Sequence, residues 1–144
     1  MMLQTIKNGN LDMTDQSNES SAAILVVDDN ATMRKLVTAQ LEKLGFASET
    51  ANNGAEALEK LAGRQYKMVL LDVQMPVMDG LEATRRIRER DSETGIHTTL
   101  VALTGHCSRT DCLAAGMDDY VAKPMNIATL KKIVEKWVRN PQTV

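Results

Sequence analysis

Aromatic residues are scarce: one Trp, two Tyr and one Phe make 3% of 144 residues. A core organised around stacked rings is therefore excluded. With 43% hydrophobic residues overall, the interior has to be built from Leu, Val, Ile, Ala and Met. Cysteine is rarer still. Cys107 and Cys112 stand at a spacing that matches no zinc or redox motif, and two thiols make no disulfide framework. Neither sign of charge dominates. A formal net charge of −2 supplies no electrostatic reason to expect direct contact with nucleic acid or an anionic membrane. No apolar run approaches the length of a membrane span, and the N-terminus lacks the basic and apolar segments of a signal peptide. The expectation is a soluble, cytoplasmic protein with reduced cysteines, long enough for one domain with a sizeable core.

What the chain does have is a series of short apolar runs, each ending in a polar residue. Lys67-Met68-Val69-Leu70-Leu71-Asp72 is the clearest. Four apolar residues without alternation read as a strand buried on both faces, as in a parallel sheet. The aspartate then falls at the strand's carboxyl end, where open α/β sheets place their ligands. Pro76 and Gly80 mark the segment after it as a loop.

Residues 1–21 are rich in Asn, Asp, Gln, Ser and Thr without apolar periodicity and read as a flexible tail or linker. The domain is expected over 22–140. Ile24-Leu25-Val26-Val27 is a first buried strand ending in Asp28-Asp29. Asn30 caps a helix with Met33, Leu36, Val37, Leu41 and Leu44 on one face, stopped by Gly45. Phe46 to Thr50 is a more polar strand, suited to a sheet edge. Asn53 and Glu56 carry a capping box for a second helix, which Gly63 ends. Asp79 caps a third, followed by a basic run from Arg85 to Arg90 read as a solvated outer face and a loop from Asp91 to His97. Thr99 to Leu103 is a fourth strand ending in Thr104. A weakly patterned helix near Arg109 to Ala115 is closed by Gly116. Asp119 to Ala122 is a fifth strand ending in Lys123-Pro124. Asn126 caps the last helix, whose stripe is Leu130, Ile133, Val134, Trp137 and Val138, with Pro141 beyond it.

Strand and helix alternate five times. The expected fold is α/β: a doubly wound five-stranded parallel sheet with helices on both faces and right-handed crossovers. The strand order 2-1-3-4-5 (flavodoxin-like) is a known arrangement adopted for this pattern, not one deduced from it. In that order the first and third strands are neighbours. Asp28, Asp29 and Asp72 then meet at one sheet edge, with Thr104 and Lys123 on the same edge. Three adjacent carboxylates repel one another, and a hard divalent cation relieves the repulsion: Mg²⁺, with Mn²⁺ the alternative. A carboxylate nucleophile at Asp72, a metal, the Lys123 ammonium and the Thr104 hydroxyl are the parts that phosphoryl transfer requires. Taken singly each has a plainer reading. Asp28-Asp29 is a helix cap, Thr104 a strand-end hydroxyl and Lys123 a surface lysine. Only their joint placement argues for chemistry.

The pieces Ile24-Leu25-Val26-Val27-Asp28-Asp29-Asn30, Leu71-Asp72-Val73-Gln74-Met75-Pro76-Val77-Met78-Asp79-Gly80, Ala102-Leu103-Thr104-Gly105 and Gly116-Met117-Asp118-Asp119-Tyr120-Val121-Ala122-Lys123-Pro124 resemble the receiver domain of two-component response regulators, over roughly Ala23 to Val138. The resemblance implies that Asp72 takes a phosphoryl group from a phosphohistidine on a histidine kinase or histidine phosphotransfer protein. It implies that Asp28 and Asp29 help hold the metal with Asp72 and the Gln74 backbone carbonyl. It also implies that Lys123 and Thr104 contact the phosphoryl group, that Tyr120 is a switch aromatic answering to Thr104, and that the Lys123-Pro124 bond is cis. Gln74 and His106, each two residues beyond a site residue, are expected to tune the lifetime of the phosphoaspartate. His106 also reads as an ordinary polar loop residue.

From Thr104 to Gly116 the chain is shorter than the family pattern by roughly one helical turn. A short or partly unravelled fourth helix is expected there. Two further readings stay open: a Mg²⁺-dependent phosphohydrolase with an aspartate nucleophile, and an inactive receiver-like interaction module. Such hydrolases commonly need a second acid two residues after the nucleophile, and that position is Gln74. The wording around Leu81 to Arg85 and Gly116 to Tyr120 is closest to receivers of hybrid histidine kinases. A stand-alone regulator and a piece of a hybrid kinase both fit, and the downstream output partner is not specified.

Overall fold

The computed structural model describes residues 23–75, 78–105, 108–123 and 125–139. The expectations for the segment 1–21, Cys107, His106, the Lys123-Pro124 bond and Pro141 fall outside the described residues. Among the described residues five strands and five helices alternate: β1 (Ile24–Val27), α1 (Ala31–Lys43), β2 (Ser48–Ala51), α2 (Gly54–Gly63), β3 (Met68–Asp72), α3 (Gly80–Thr94), β4 (Leu100–Thr104), α4 (Arg109–Ala114), β5 (Asp119–Ala122) and α5 (Ile127–Val134). A π-helical turn, Glu135–Arg139, continues α5.

The sheet is parallel throughout, in the order β2-β1-β3-β4-β5. Its strands explain their own unbroken apolar runs. Successive side chains alternate between faces, and both faces are covered. Leu25, Val27, Val69 and Leu71 join Ala57, Leu61, Ala83 and Ile87 under α2 and α3. Ile24, Val26, Met68 and Leu70 join Val37, Leu41, Leu130 and Val134 under α1 and α5. β2 has only half-buried residues before Ala51, which suits its place at the edge.

The caps expected from the sequence are made. Asn30 Oδ1 accepts the Met33 N–H at 3.0 Å, Asp79 Oδ1 the Glu82 N–H at 2.9 Å and Asn126 Oδ1 the Thr129 N–H at 2.9 Å. Asn53 Oδ1 accepts the Glu56 N–H, and Glu56 reaches back to the Asn52 N–H. Gly45 follows α1 at φ 92°, a left-handed position where a Cβ would be strained.

Some expectations need correction. α3 runs on to Thr94, so most of the segment from Asp91 to His97 is helix and not loop. Leu36 is exposed, not part of the buried stripe of α1. Strand β2 starts at Ser48, two residues later than read, and Gly63 is the last residue of α2 with Arg64 as its cap. The last helix is regular only to Val134; Trp137 and Val138 sit in the π turn. α4 has six residues, in keeping with the shortened segment that precedes Gly116.

Candidate functional site

The register of the sheet assembles the site. Val27 pairs with Leu71, so Asp28 and Asp72 are level at adjoining strand ends. Asp72 pairs with Leu103, which puts Thr104 just beyond it on β4. Thr104 pairs with Ala122, and its carbonyl accepts the Lys123 N–H at 2.8 Å, so the lysine is fixed at the rim.

Asp28, Asp29 and Asp72 each present a carboxylate oxygen within 4.8 Å of the others. Asp28 and Asp72 are buried and Asp29 is exposed. Lys123 Nζ stands 3.2 Å from Asp28 Oδ2 and 3.4 Å from Asp72 Oδ1. Three acids thus face one ammonium. Burial, and next the neighbouring Asp28, push the Asp72 carboxyl up to about 6, against the opposing pull of Lys123 and of the Gln74 N–H. That N–H donates to Asp72 Oδ1 at 3.2 Å. Asn30 supplies the helix cap and also donates its N–H to Asp28 Oδ1 at 2.9 Å. The residue that caps α1 is thus Asn30, with Asp28 receiving the N–H of the cap residue. An excess of oxygen ligands in a half-open crevice fits a hard divalent cation that keeps sites for water and phosphate.

Two contributors were not evident from the sequence. Arg34 Nη1 donates to the Asp28 carbonyl at 2.7 Å, holding the β1–α1 turn. A cation within the first turns of a helix opposes the macrodipole, and that misplacement was the available signal. Gly80 opens α3 and donates its N–H to the Val73 carbonyl at 2.8 Å. A Cβ there would lie 2.5 Å from the Asp72 carbonyl oxygen and 2.6 Å from Val73 Cα. Only glycine lets the helix press this closely on the strand end that carries Asp72.

Tyr120 is half-buried on β5 and packs against the core layer that α2 and α3 cover. Thr104 is buried at the end of β4. Gln74 is exposed beside Asp72. His106 lies outside the described residues.

This is a flavodoxin-like, doubly wound domain with an acidic, lysine-rimmed crevice between β1 and β3. The family model "Response regulator receiver domain" matches residues 24–135. The hybrid signal transduction protein dokA of Dictyostelium discoideum is 36% identical over 129 residues, 90% of this chain but 8% of dokA. The receiver domain of the sensor histidine kinase PA1611 from Pseudomonas aeruginosa, solved with a magnesium ion in its active site cleft, superposes with a TM-score of 0.74 at 35% identity, covering 83% of this chain and 99% of that one. A yeast co-crystal structure of the histidine phosphotransfer protein Ypd1 with the receiver domain of Ssk1 matches with a TM-score of 0.74 at 30% identity, covering 79% of this chain and 86% of that one. The chain belongs to the response regulator receiver domain family and is a signalling domain of the two-component type. It spans a small part of the hybrid kinases it matches. Among the described residues no helix is long and apolar enough to cross a membrane.

Proposed function

We propose that Asp72 is the phosphoacceptor of a phosphorelay, receiving its phosphoryl group from a phosphohistidine of a histidine kinase or a histidine phosphotransfer protein. The cluster of Asp28, Asp29 and Asp72 with Lys123 between two of its carboxylates carries this reading. An Asp72 oxygen attacks phosphorus in line. The P–N bond breaks, and its electron pair returns to the imidazole nitrogen of the donor. Asp28, Asp29, Asp72 and the Gln74 carbonyl would hold Mg²⁺. When bound, the ion supplies charge neutralisation at the phosphoryl oxygens, and Mn²⁺ offers the same chemistry. Lys123 exchanges its contact with Asp72 for one with a phosphoryl oxygen. Thr104 supplies a hydroxyl to another, and its displacement opens room for Tyr120 to turn inward. Gln74, exposed beside Asp72, sets how readily water reaches the phosphoaspartate, a role the sequence pattern gives to His106 as well.

The domain is assigned to 22–140, with 1–21 as a tail or linker and a cytoplasmic setting. The histidine phosphotransfer partner rests on the Ypd1–Ssk1 precedent. A hybrid histidine kinase as the parent protein rests on the relatives matched. The test is incubation with Mg²⁺ and acetyl phosphate. One modification per chain, lost in Asp72→Asn, supports the phosphoacceptor. Sustained turnover would instead indicate a phosphohydrolase, and no modification an inactive interaction module.

A further inference from the structure

Asp119 is a third buried carboxylate among the described residues, 3% exposed, at the start of β5 and apart from the acidic crevice that holds Asp28 and Asp72. Its two oxygens serve different elements. Oδ2 accepts from Trp137 Nε1 at 2.8 Å and from Lys136 Nζ at 3.0 Å, both in the π turn that continues α5. Oδ1 accepts from Arg109 Nη1 at 3.2 Å, on the first residue of α4, and from the N–H of Tyr120 at 2.9 Å. The Lys136 ammonium also lies 5.3 Å from the centre of the Trp137 ring. These donors hold the carboxyl below its ordinary range despite its burial.

The arrangement has three parts that a simple structural anchor does not need. A π turn departs from regular helix bonding, a departure frequent at functional sites. Here it places two successive side chains on one oxygen. α4 is only six residues long, and its first side chain crosses to β5. That helix is the next element after β4, so Arg109 stands on the element that follows Thr104. The exposed side chain of Arg109 is 59% accessible, while the carboxylate it meets is almost fully enclosed. Movement of Arg109 removes a charged donor from Oδ1, and the carboxylate must then rearrange against the partners on Oδ2.

We propose that Asp119 is a latch coupling the β4–α4 side of the acidic crevice to the π turn at the end of α5. Charge arriving at Asp72 shifts α4 and Arg109, Asp119 re-partitions its hydrogen bonds, and the Lys136–Trp137 turn loosens. The inference rests on the phosphoacceptor reading of Asp72.

Trp137 is the single tryptophan of the chain, so its emission reports the latch without a label. The 144-residue chain is titrated with Mg²⁺ and beryllofluoride. Tryptophan fluorescence is followed in parallel with ¹⁹F NMR, which reports occupancy of the crevice. The expected result is a shift in emission that tracks ¹⁹F saturation in wild type and is lost in Arg109→Ala, which still binds beryllofluoride. Arg109 is a surface residue, so its truncation leaves the fold intact. Asp119→Asn is expected to give emission already altered in the absence of beryllofluoride. Saturated binding with unchanged emission in wild type, or an undiminished shift in Arg109→Ala, overturns the latch and leaves the phosphoacceptor intact. Absence of any bound ¹⁹F signal overturns the phosphoacceptor reading, and the latch with it.

Discussion

Gly80 controls how closely the start of α3 approaches Asp72. Replacing it with Ala forces the strand end or the helix to move, because the new methyl would meet backbone and not a yielding side chain. Overpacking of this kind costs about 1–3 kcal/mol. Where the β3–α3 loop takes up the displacement, Mg²⁺ binding weakens about tenfold per 1.4 kcal/mol. Isothermal titration of Gly80→Ala with Mg²⁺ checks this, with urea unfolding as the control for global damage; an unchanged Kd contradicts it. Asp72 makes a second prediction at this scale. Its carboxyl is pushed up to about 6, so the folded state binds its proton more tightly than the unfolded chain does. The associated stability is fully present below the ordinary carboxylate range near 4 and is lost as pH rises through about 6. Metal-free protein should therefore lose stability relative to Asp72→Asn between those two values, and Mg²⁺ should reverse the loss. Asp119 works in the opposite direction, since its lowered pKa gives stability that disappears as pH falls. Urea midpoints of wild type and each Asn variant across pH separate the two. A pH-independent difference between wild type and Asp72→Asn would rule out the first.

α3 is the element whose sequence misled most. Arg85 and Arg86 are exposed and paired with Glu82 and Glu89, as a solvated face requires. Arg88 is different. It is half-buried and donates to the carbonyls of Gly116 and Thr98, at 2.8 and 2.7 Å, and to Asp91 and Asp118, at 2.7 and 2.9 Å. It ties α3 to both ends of the β4–α4 unit. The clue in the sequence was positional: Arg88 lies four residues after buried Thr84 and next to buried Ile87. Asp91 is the first residue of the segment expected as a loop, and it lies in α3. Its carboxylate accepts the Thr98 N–H and hydroxyl, while its carbonyl accepts the N–H of Gly95, the left-handed cap of α3. Arg88→Ala is expected to cost about 1.5–3 kcal/mol, the range for hydrogen bonds to charged groups. Lys at this position should recover only part, since it lacks the planar fork. Urea unfolding measures both, and a loss below about 0.5 kcal/mol would return Arg88 to the solvated face.

At the scale of the whole molecule, the two-faced burial of β1, β3 and β4 was legible because their apolar runs do not alternate, and the polar residue ending each run marks the crevice edge. The strand order was borrowed from a known arrangement, since pattern alone does not choose among parallel orders. The particular partners of Arg88 and Asp119 were not legible, because each joins a charged side chain to elements distant in sequence, and such pairs leave no periodic trace. What the topology accomplishes is the meeting of Asp28, Asp29 and Asp72 with Lys123 from residues nearly a hundred positions apart. The most direct test of that convergence is intact-protein mass spectrometry after incubation with acetyl phosphate and Mg²⁺. The account predicts one added phosphoryl group per chain, dependent on Mg²⁺, absent in Asp72→Asn and strongly reduced in Lys123→Ala. No added mass in wild type, or added mass that persists in Asp72→Asn, would contradict it.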